Sequence, residues 1–132
     1  MTMMSDFISA LTGRRIDGIR INAAHETIVF DTDNGPHAFY AEGDCCSSSW
    51  IEHFEGCAEL VGQTIRRIEH VEKATVESHP EHDCLRTDFL YVFTDKGRAM
   101  IDFRNASNGY YSGWLSPQRN WDDKQLAALA DF

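Results

Sequence analysis

Two stretches of the chain, LTGRRIDGI at Leu11–Ile19 and LVGQTIRRI at Leu60–Ile68, share the pattern Leu-x-Gly-x-x-Ile-x-x-Ile at an offset of 49 residues. Each pairs a glycine typical of turns with an apolar segment. Further along, FDTDNG at Phe30–Gly35 is similar to FTDKG at Phe93–Gly97, now at an offset of 62 to 63 residues. Because the two matches occur in the same order, we expect two related halves, at about 11–50 and 60–114. The second half would carry an insertion within Val76–Leu85.

Each half predicts three β-strands, with a tight turn between the second and the third. The predicted strands are Arg15–Ala23, Glu26–Asp31 and His37–Ala41 in the first half, and Thr64–Lys73, Asp88–Thr94 and Ala99–Arg104 in the second. The run FLYVF at Phe89–Phe93 is apolar on both faces, which indicates the centre of a sheet. Isoleucines spaced by three break strict alternation, so we expect a bulge or, alternatively, a short helix.

Three short helices are also predicted. Ser5–Leu11 is one, and the second lies near 49–56, where Ser49 and Glu52 have the spacing of a capping box and Gly56 would end the helix. The third lies near 120–131, with acidic residues in its first turn. The predicted fold class is α+β, a largely antiparallel sheet built from two pseudo-repeated three-strand halves in one domain, 1–132.

The composition and net charge disfavour several classes of function. The chain has 132 residues, 42% of them hydrophobic, with 12 Lys and Arg against 21 Asp and Glu, for a net charge of −9. Such a charge disfavours general binding to duplex DNA or to anionic membranes. No apolar run reaches the roughly 18 residues of a membrane span, and the start does not read as a secretory signal. We therefore expect a cytoplasmic protein of the host cell.

The negative charge is concentrated in residues 21–65, which contain eight acidic residues and neither Lys nor Arg. The remaining 13 acids and 12 bases nearly cancel. If the carboxylates share one face, their field would steer a basic partner and mimic an array of phosphates. The alternative is a solvated surface that serves solubility. The residues predicted to bind a partner are Asp31, Asp33, Glu42, Asp44, Glu52, Glu55 and Glu59.

The string EGDCCSSSW at Glu42–Trp50 offers a catalytic alternative. A thiol just before a helix can have a lowered pKa, so Cys45 or Cys46 would be a nucleophile and His53 its base. Buried cysteines more often act as small hydrophobic residues. Four cysteines in an intracellular chain favour reduced thiols over disulfides.

A zinc site is a further alternative. His79, His82 and Cys84 place nitrogen and sulfur donors within six residues, with His53, His70, Cys45 and Cys46 elsewhere in the chain. The spacing does not match a paired Cys-x-x-Cys module, and a polar hairpin loop is the simpler interpretation. We expect no cofactor.

The string FRNASNGYYSGW at Phe103–Trp114 is rich in amides and aromatic residues. Such a loop can hold a nucleotide-like ligand by stacking, or it can pack against the Cys-Cys-Ser segment. The ligand-binding candidates are Arg104, Asn105, Asn108, Tyr110, Tyr111 and Trp114. Ser49-Trp50 and Gly113-Trp114 occupy matching places after the third strand of each half, which predicts pseudosymmetric neighbours.

The residues Glu42–Trp50 and Arg104–Tyr111, with the Leu-x-Gly and Phe-Thr-Asp-x-Gly turns, resemble a family of small bacteriophage and prophage proteins. The resemblance covers most of residues 11–115 and implies a viral accessory role, without catalytic residues to carry over. His79–Cys84 lies outside its pattern.

Neither a Walker loop, a dinucleotide glycine fingerprint, a Gly-x-Ser-x-Gly elbow nor His-Glu-x-x-His occurs in the sequence. Together with the charge, this predicts a noncatalytic inhibitor or adaptor, anti-CRISPR-like or anti-restriction-like. It would bind a basic surface of a host nucleic-acid-handling or defence complex. A small-molecule binder and a Cys/His zinc or thiol enzyme are the alternatives, and exposed strand edges would also allow a homodimer.

Overall fold

The structure, a computed structural model, describes residues 4–43, 47–72, 76–77, 84–107, 113–118 and 130–131. Its first part contains one helix, α1 (Ser5–Leu11), followed by β1 (Ile16–Ile21), β2 (Thr27–Thr32), β3 (Gly35–Gly43) and β4 (Ser48–Glu55). A 3₁₀ turn at Cys57–Leu60 precedes β5 (Arg67–Glu72), β6 (Val76–Glu77), β7 (Cys84–Thr94), β8 (Gly97–Ser107), β9 (Gly113–Gln118) and β10 (Ala130–Asp131).

The strands form two antiparallel sheets. Sheet one has the order β10-β1-β2-β3-β9, and sheet two has the order β4-β8-β7-β5, with β6 pairing β7. Each sheet therefore contains a three-strand meander from one half of the chain and a further strand from the other. The strand that follows β3 joins sheet two beside β8, while the strand that follows β8 joins sheet one beside β3. This exchange holds the two halves together through backbone hydrogen bonds.

The two Leu-x-Gly stretches lie side by side and exchange equivalent hydrogen bonds. Gly13 N donates to Ile65 O (2.8 Å), and Gly62 N donates to Ile16 O (2.7 Å). In the same way Ile16 N donates to Gln63 O and Ile65 N donates to Arg14 O, both at 2.9 Å. Gly13 and Gly62 have φ angles of +85° and +87°, a region that favours glycine. The repeated motif thus forms a pseudo-twofold contact, while duplication of an ancestral half stays a prediction.

The six strands predicted for the two halves are present as β1, β2, β3, β5, β7 and β8. The turns after β2 and β7 are equivalent: Thr32 Oγ1 donates to Gly35 O (2.7 Å), and Thr94 Oγ1 donates to Gly97 O (3.3 Å). The predicted bulge is confirmed by a register shift between Ile16 and Gly18. The apolar run of β7 lies between β5 and β8, as its two-faced pattern predicted.

The core contains residues from both sheets and from α1. Met4, Phe7 and Leu11 are fully buried, because the apolar positions of this short helix fall on one face. The Phe7 ring makes edge contacts with Phe30 (5.6 Å between centroids) and Phe39 (4.9 Å) of sheet one. The helix supplies apolar surface that this pair of sheets buries.

The predicted α+β class is wrong, because the protein is mainly β. The predicted helix near 49–56 is strand β4, since the open edge of β8 offers backbone partners along most of its length. Ser49 Oγ accepts a hydrogen bond from Asn105 instead of capping a helix, and Gly56, with φ +72°, follows the strand. The predicted helix at Ser5–Leu11 is confirmed. Most of 120–131 lies outside the described residues, but Ala130–Asp131 pairs with β1 as a strand.

Candidate functional site

The strand ends that flank the sequence candidates lie at one end of the two sheets. Gly43 pairs with Gly113 in sheet one, Ser48 pairs with Ala106 in sheet two, and Cys84 pairs with Ser107. The β1–β2 turn lies at the same end, because Thr27 pairs with Tyr40. We call this end, where β3, β8, β4, β7 and β9 end or begin, the loop end.

At the loop end the two sheets meet through a pair of glycines, Gly43 and Gly113, and a pair of polar residues, Ser49 and Asn105. Asn105 is 1% exposed, and its Nδ2 donates to Ser49 Oγ at 2.9 Å. A Cβ atom built on Gly43 would lie 3.0 Å from Ser49 Oγ and 3.1 Å from Asn105 Nδ2, and one built on Gly113 would lie 2.9 Å from Asn105 Nδ2. The glycines of sheet one therefore leave the space that the Asn105–Ser49 pair of sheet two fills. Asn105 Oδ1 is buried without a hydrogen-bond partner.

Beside this contact lies a cleft of about 510 Å³. Its described lining combines carboxylates, hydroxyls and aromatic rings and includes no Lys or Arg. The chemically important members are Glu26 from the β1–β2 turn, Tyr40 and Glu42 from β3, Ser47, and Ser49 and Trp50 from β4. Because β3 leaves sheet one here and β4 enters sheet two, residues distant from the β1–β2 turn in sequence meet that turn around one cavity.

The electrostatics of the cleft are negative. Tyr40 Oη donates to Glu26 Oε2 at 2.8 Å. The pKa of Tyr40 is raised, first by this hydrogen bond, then by partial burial and by the charges of Glu26 and Glu42. The phenol therefore stays protonated and fixes one Glu26 oxygen, while the rest of that carboxylate and the Glu42 carboxylate set the charge of the cavity.

The β1–β2 turn positions Glu26. Asn22 Oδ1 accepts hydrogen bonds from Glu26 N (2.9 Å) and Thr27 N (3.0 Å). His25 has a φ of 57°, an uncommon angle for a residue other than glycine. It contacts β4 through two groups: Ile51 N donates to His25 O at 2.8 Å, and His25 Nδ1 lies 3.1 Å from Ile51 O. The turn is thus tied to both walls of the cleft.

The predicted acidic residues do not gather on one face of the protein. Glu42 lines the cleft, and Glu52 is near it, accepting a hydrogen bond from Trp50 Nε1 at 2.6 Å. Asp31 is paired with Arg20 (2.7 Å), and Asp33 lies at the opposite end of the sheet in the β2–β3 turn. Glu55 is the last residue of β4, at its far end, Glu59 lies in the 3₁₀ turn that follows, and Asp44 lies outside the described residues.

The predicted ligand-binding residues are likewise divided. Arg104 belongs to sheet two, where it pairs with Asp102 (2.7 Å), whereas Trp114 belongs to sheet one, opposite Glu42. Asn105 points toward the contact between the sheets through its bond to Ser49. Asn108, Tyr110 and Tyr111 lie outside the described residues. The two tryptophans do occupy matching places, because each pairs with the third strand of a meander: Trp50 lies opposite Arg104 of β8, and Trp114 lies opposite Glu42 of β3.

The described residues give little support to the thiol and zinc hypotheses. Cys45, Cys46, His79 and His82 lie outside them, and only the backbone of Cys84 is described. The segment after Cys46 forms β4, so the helix end invoked to lower a thiol pKa is replaced by a strand, and His53 is exposed on it. Cys57 is buried, which raises the pKa of its thiol to about 12. Within the described ranges, no three His, Cys, Asp or Glu side chains form a metal-binding group.

The sequence analysis did not predict two groups of interacting side chains. Glu26 and Tyr40 belong to the cleft, yet 14 residues separate them and no spacing rule links them. On sheet two, buried Asp88 accepts hydrogen bonds from His70 Nε2 (2.7 Å) and Arg86 Nε (3.1 Å), and Arg86 also reaches Glu72 (3.2 Å). Strand pairing places these residues together, and their mutual pairing explains how sheet two buries a charged carboxylate.

The fold and cleft define a two-sheet β protein with a polar, negatively charged cavity at its loop end. The chain belongs to the family described as Domain of unknown function (DUF7448), whose model matches residues 9–116. It is similar to "Uncharacterized protein L278" of Acanthamoeba polyphaga mimivirus, with 33% identity over 110 residues, covering 80% of this chain and 87% of the relative. These matches support the coarser part of the predicted resemblance, a small viral protein family.

No solved structure matches the chain. In the part of the chain that the structure describes, no helix combines the length and the apolar composition needed to cross a membrane.

Proposed function

We propose that the protein is a noncatalytic viral adaptor or inhibitor that binds a basic surface of a host complex through the acidic cleft at its loop end. The observation that carries this proposal is the cleft itself, where Glu26 and Glu42 approach two aromatic residues and the described lining contains no Lys or Arg. A few carboxylates that lie close together in the fold, and not all eight acidic residues of 21–65, would therefore form the binding site.

The lining of the cleft favours a cationic side chain as its occupant. Carboxylates accept charge-assisted hydrogen bonds from guanidinium or ammonium groups, and aromatic faces attract cations. The hydrogen bond to Glu26 and the charges of Glu26 and Glu42 also raise the pKa of Tyr40, as expected in a cavity that disfavours a further negative charge. Arginine is the best match, because its planar fork donates to two carboxylates and stacks on rings.

A partner that handles nucleic acid fits this occupant. Such proteins carry Lys and Arg surfaces that contact phosphates, and a negatively charged viral protein can compete for those surfaces. Membership in a family with a viral relative supports a viral role, and the role we propose is inhibition of host defence, anti-CRISPR-like or anti-restriction-like. The rest of the −9 charge would mainly accelerate association.

The experiment measures binding of a fluorescent oligoarginine peptide by anisotropy, using the whole chain and the variants Glu42→Gln and Glu26→Gln. Each variant removes one carboxylate while keeping the size of the side chain. Since hydrogen bonds to charged groups contribute about 1.5–3 kcal/mol, each variant should weaken binding by roughly tenfold or more. The same variants should capture less of any partner from host extract.

Glu59→Gln is the matched control, because Glu59 is an exposed carboxylate outside the cleft. It changes net charge by the same amount and should leave peptide affinity nearly unchanged. Equal weakening in all three variants would show that only net charge matters and would contradict the cleft. Thermal unfolding of each variant verifies that the fold is retained.

A further inference from the structure

The outer face of sheet two carries a row of aromatic side chains. Along β7, Leu90 and Val92 are fully buried in the core, so the alternating residues Phe89, Tyr91 and Phe93 point to the opposite face. These three rings are only partly buried, and the centroids of Phe89 and Tyr91 lie 6.1 Å apart. They form a continuous line on a central strand.

Arginines from the neighbouring strands lie on these rings. Arg67 of β5 places its Cζ 3.9 Å from the centroid of Phe93, and Arg98 of β8 lies 4.6 Å from the centroid of Tyr91. Arg67 also pairs with Glu69 (3.1 Å), whereas no carboxylate of the described residues lies within ion-pair distance of Arg98. Arg104 extends the same face of β8 toward the loop end, where it pairs with Asp102 (2.7 Å). We call these three arginines and three rings the aromatic face.

The fold does not require this composition. The equivalent turns Thr32–Gly35 and Thr94–Gly97 align the two sheets, so Asp31 and Val29 of sheet one occupy the positions of Phe93 and Tyr91. Pro36 likewise corresponds to Arg98. The same backbone frame thus carries no aromatic–arginine stack at these positions of sheet one, and the stacks of sheet two are features of its side chains alone.

We propose that the aromatic face binds single-stranded nucleic acid. Bases of any sequence stack on aromatic rings or on guanidinium planes, and antiparallel sheets with exposed rings on central strands are a recurrent platform for this contact. Arg98 and Arg67, already stacked on rings, provide donors for phosphates along the same line. This site is separate from the acidic cleft and independent of the function proposed for it.

The charge of the molecule selects the kind of nucleic acid. A net charge of −9 repels a duplex, whose dense phosphates would face the whole protein. A single strand has fewer phosphates per length and gains base stacking, which a duplex cannot provide. An acidic peptide would satisfy the arginines but leave the three rings without a specific partner, so the rings favour the nucleic acid.

The test is fluorescence anisotropy with a labelled oligothymidine and a labelled oligouridine of about 12 nucleotides at about 50 mM salt. Tyr91→Leu and Phe93→Leu keep an apolar side chain but remove the stacking ring, and each should weaken binding by about fivefold to 150-fold. Arg67 and Arg104 already pair with carboxylates, so Arg98 should release the most counterions on binding, and Arg98→Gln should reduce the slope of log affinity against log salt by about 0.7.

Arg15→Gln is the charge-matched control, since Arg15 is exposed and lies outside sheet two. It should leave affinity and slope nearly unchanged. Absence of binding to both oligonucleotides at low salt would overturn the proposal. So would an equal loss in Arg15→Gln, or binding of oligoglutamate that Tyr91→Leu leaves intact, which would identify an acidic-peptide surface. Variants that unfold by circular dichroism are replaced by Arg98→Glu, which changes only an exposed side chain and should abolish binding.

Discussion

The two sheets share a frame but differ where they meet the loop end. In sheet one, Gly43 lies opposite Gly113, and Glu42 lies opposite Trp114. At the equivalent places of sheet two, Asn105 lies opposite Ser49, and Arg104 lies opposite Trp50. Both sheets thus have a tryptophan at this place, but its neighbour is acidic in sheet one and basic in sheet two. The two glycines of sheet one correspond to two hydrogen-bonding side chains in sheet two.

The inner difference concerns packing. Two identical polar pairs would compete for the same space between the sheets, and two glycine pairs would leave a void. One pair of each kind produces complementary surfaces, as dense interiors require. The two halves of the pseudo-symmetric frame therefore fit together at the loop end because they differ at Gly43, Gly113, Ser49 and Asn105.

The outer difference concerns partners. The β1–β2 turn and β3 of sheet one contribute Glu26, Tyr40 and Glu42 to a negative cleft, while sheet two carries partly buried rings on which arginines stack. A single fold thus presents two surfaces of opposite chemistry, and the net charge of −9 reveals neither of them. Net charge alone is a poor guide to what such a protein binds.

The largest expected effect comes from breaking the inner complementarity with Gly113→Ala. The new Cβ would overlap Ser49 Oγ and lie 2.9 Å from both Asn105 Nδ2 and the Glu42 carbonyl oxygen. Because the backbone cannot yield easily, we expect the free energy of unfolding in urea to fall by about 3 kcal/mol. Adding Ser49→Gly should restore part of that loss, since it removes one of the overlaps.

Gly18→Ala is the control for this substitution. Its new Cβ would meet only the Asp31 carboxylate, at 3.3 Å, and that side chain can shift. We expect a change within about 1 kcal/mol. If Gly113→Ala were as mild as the control, or if Ser49→Gly failed to compensate, the sheets would not be fitted to each other in the way described.

The sequence predicts local elements better than their assembly. The turns at Gly35 and Gly97, the bulge near Ile16 and the buried run of β7 follow from glycine, alternation and β-branched residues within a few positions. The exchange of β4 and β9 between sheets depends on pairing between residues 45 or more positions apart, for which no local pattern is diagnostic.

The predicted helix near 49–56 shows why local patterns fail. Ser49 and Glu52 do satisfy a capping-box spacing, but the residues between and after them include Trp50, Ile51 and Phe54, which also suit a strand. The unpaired edge of β8 decided between the two. The cleft escaped prediction for a related reason, because Glu26 is brought to Tyr40 by register and not by sequence spacing.

A second way to sharpen the comparison uses the two turn glycines. Gly13 and Gly62 have nearly the same φ angle, and a Cβ on either would point into open space. Gly13→Ala and Gly62→Ala should therefore each lower the free energy of unfolding by about 1–2 kcal/mol through backbone strain alone. Urea unfolding of the two variants should agree within about 0.5 kcal/mol. A clearly larger difference would mean that the two turns are not energetically equivalent.

The smallest expected effect concerns exposed ion pairs near the turns. Arg66, through a hydrogen bond and its charge, lowers the pKa of Asp95 below its ordinary value near 3.8, and Arg15 does the same for Asp17. A carboxylate whose folded pKa is depressed stabilises the fold above its unfolded pKa, and that contribution is lost as pH falls through the folded value. Arg66→Ala should raise the pKa of Asp95 in a carboxyl NMR titration and leave that of Asp17 unchanged, while Arg15→Ala should do the reverse. Since all four side chains are exposed and screened by solvent, neither variant should move the urea midpoint at pH 7 appreciably. A large shift in that midpoint would contradict the small contribution expected of these exposed pairs.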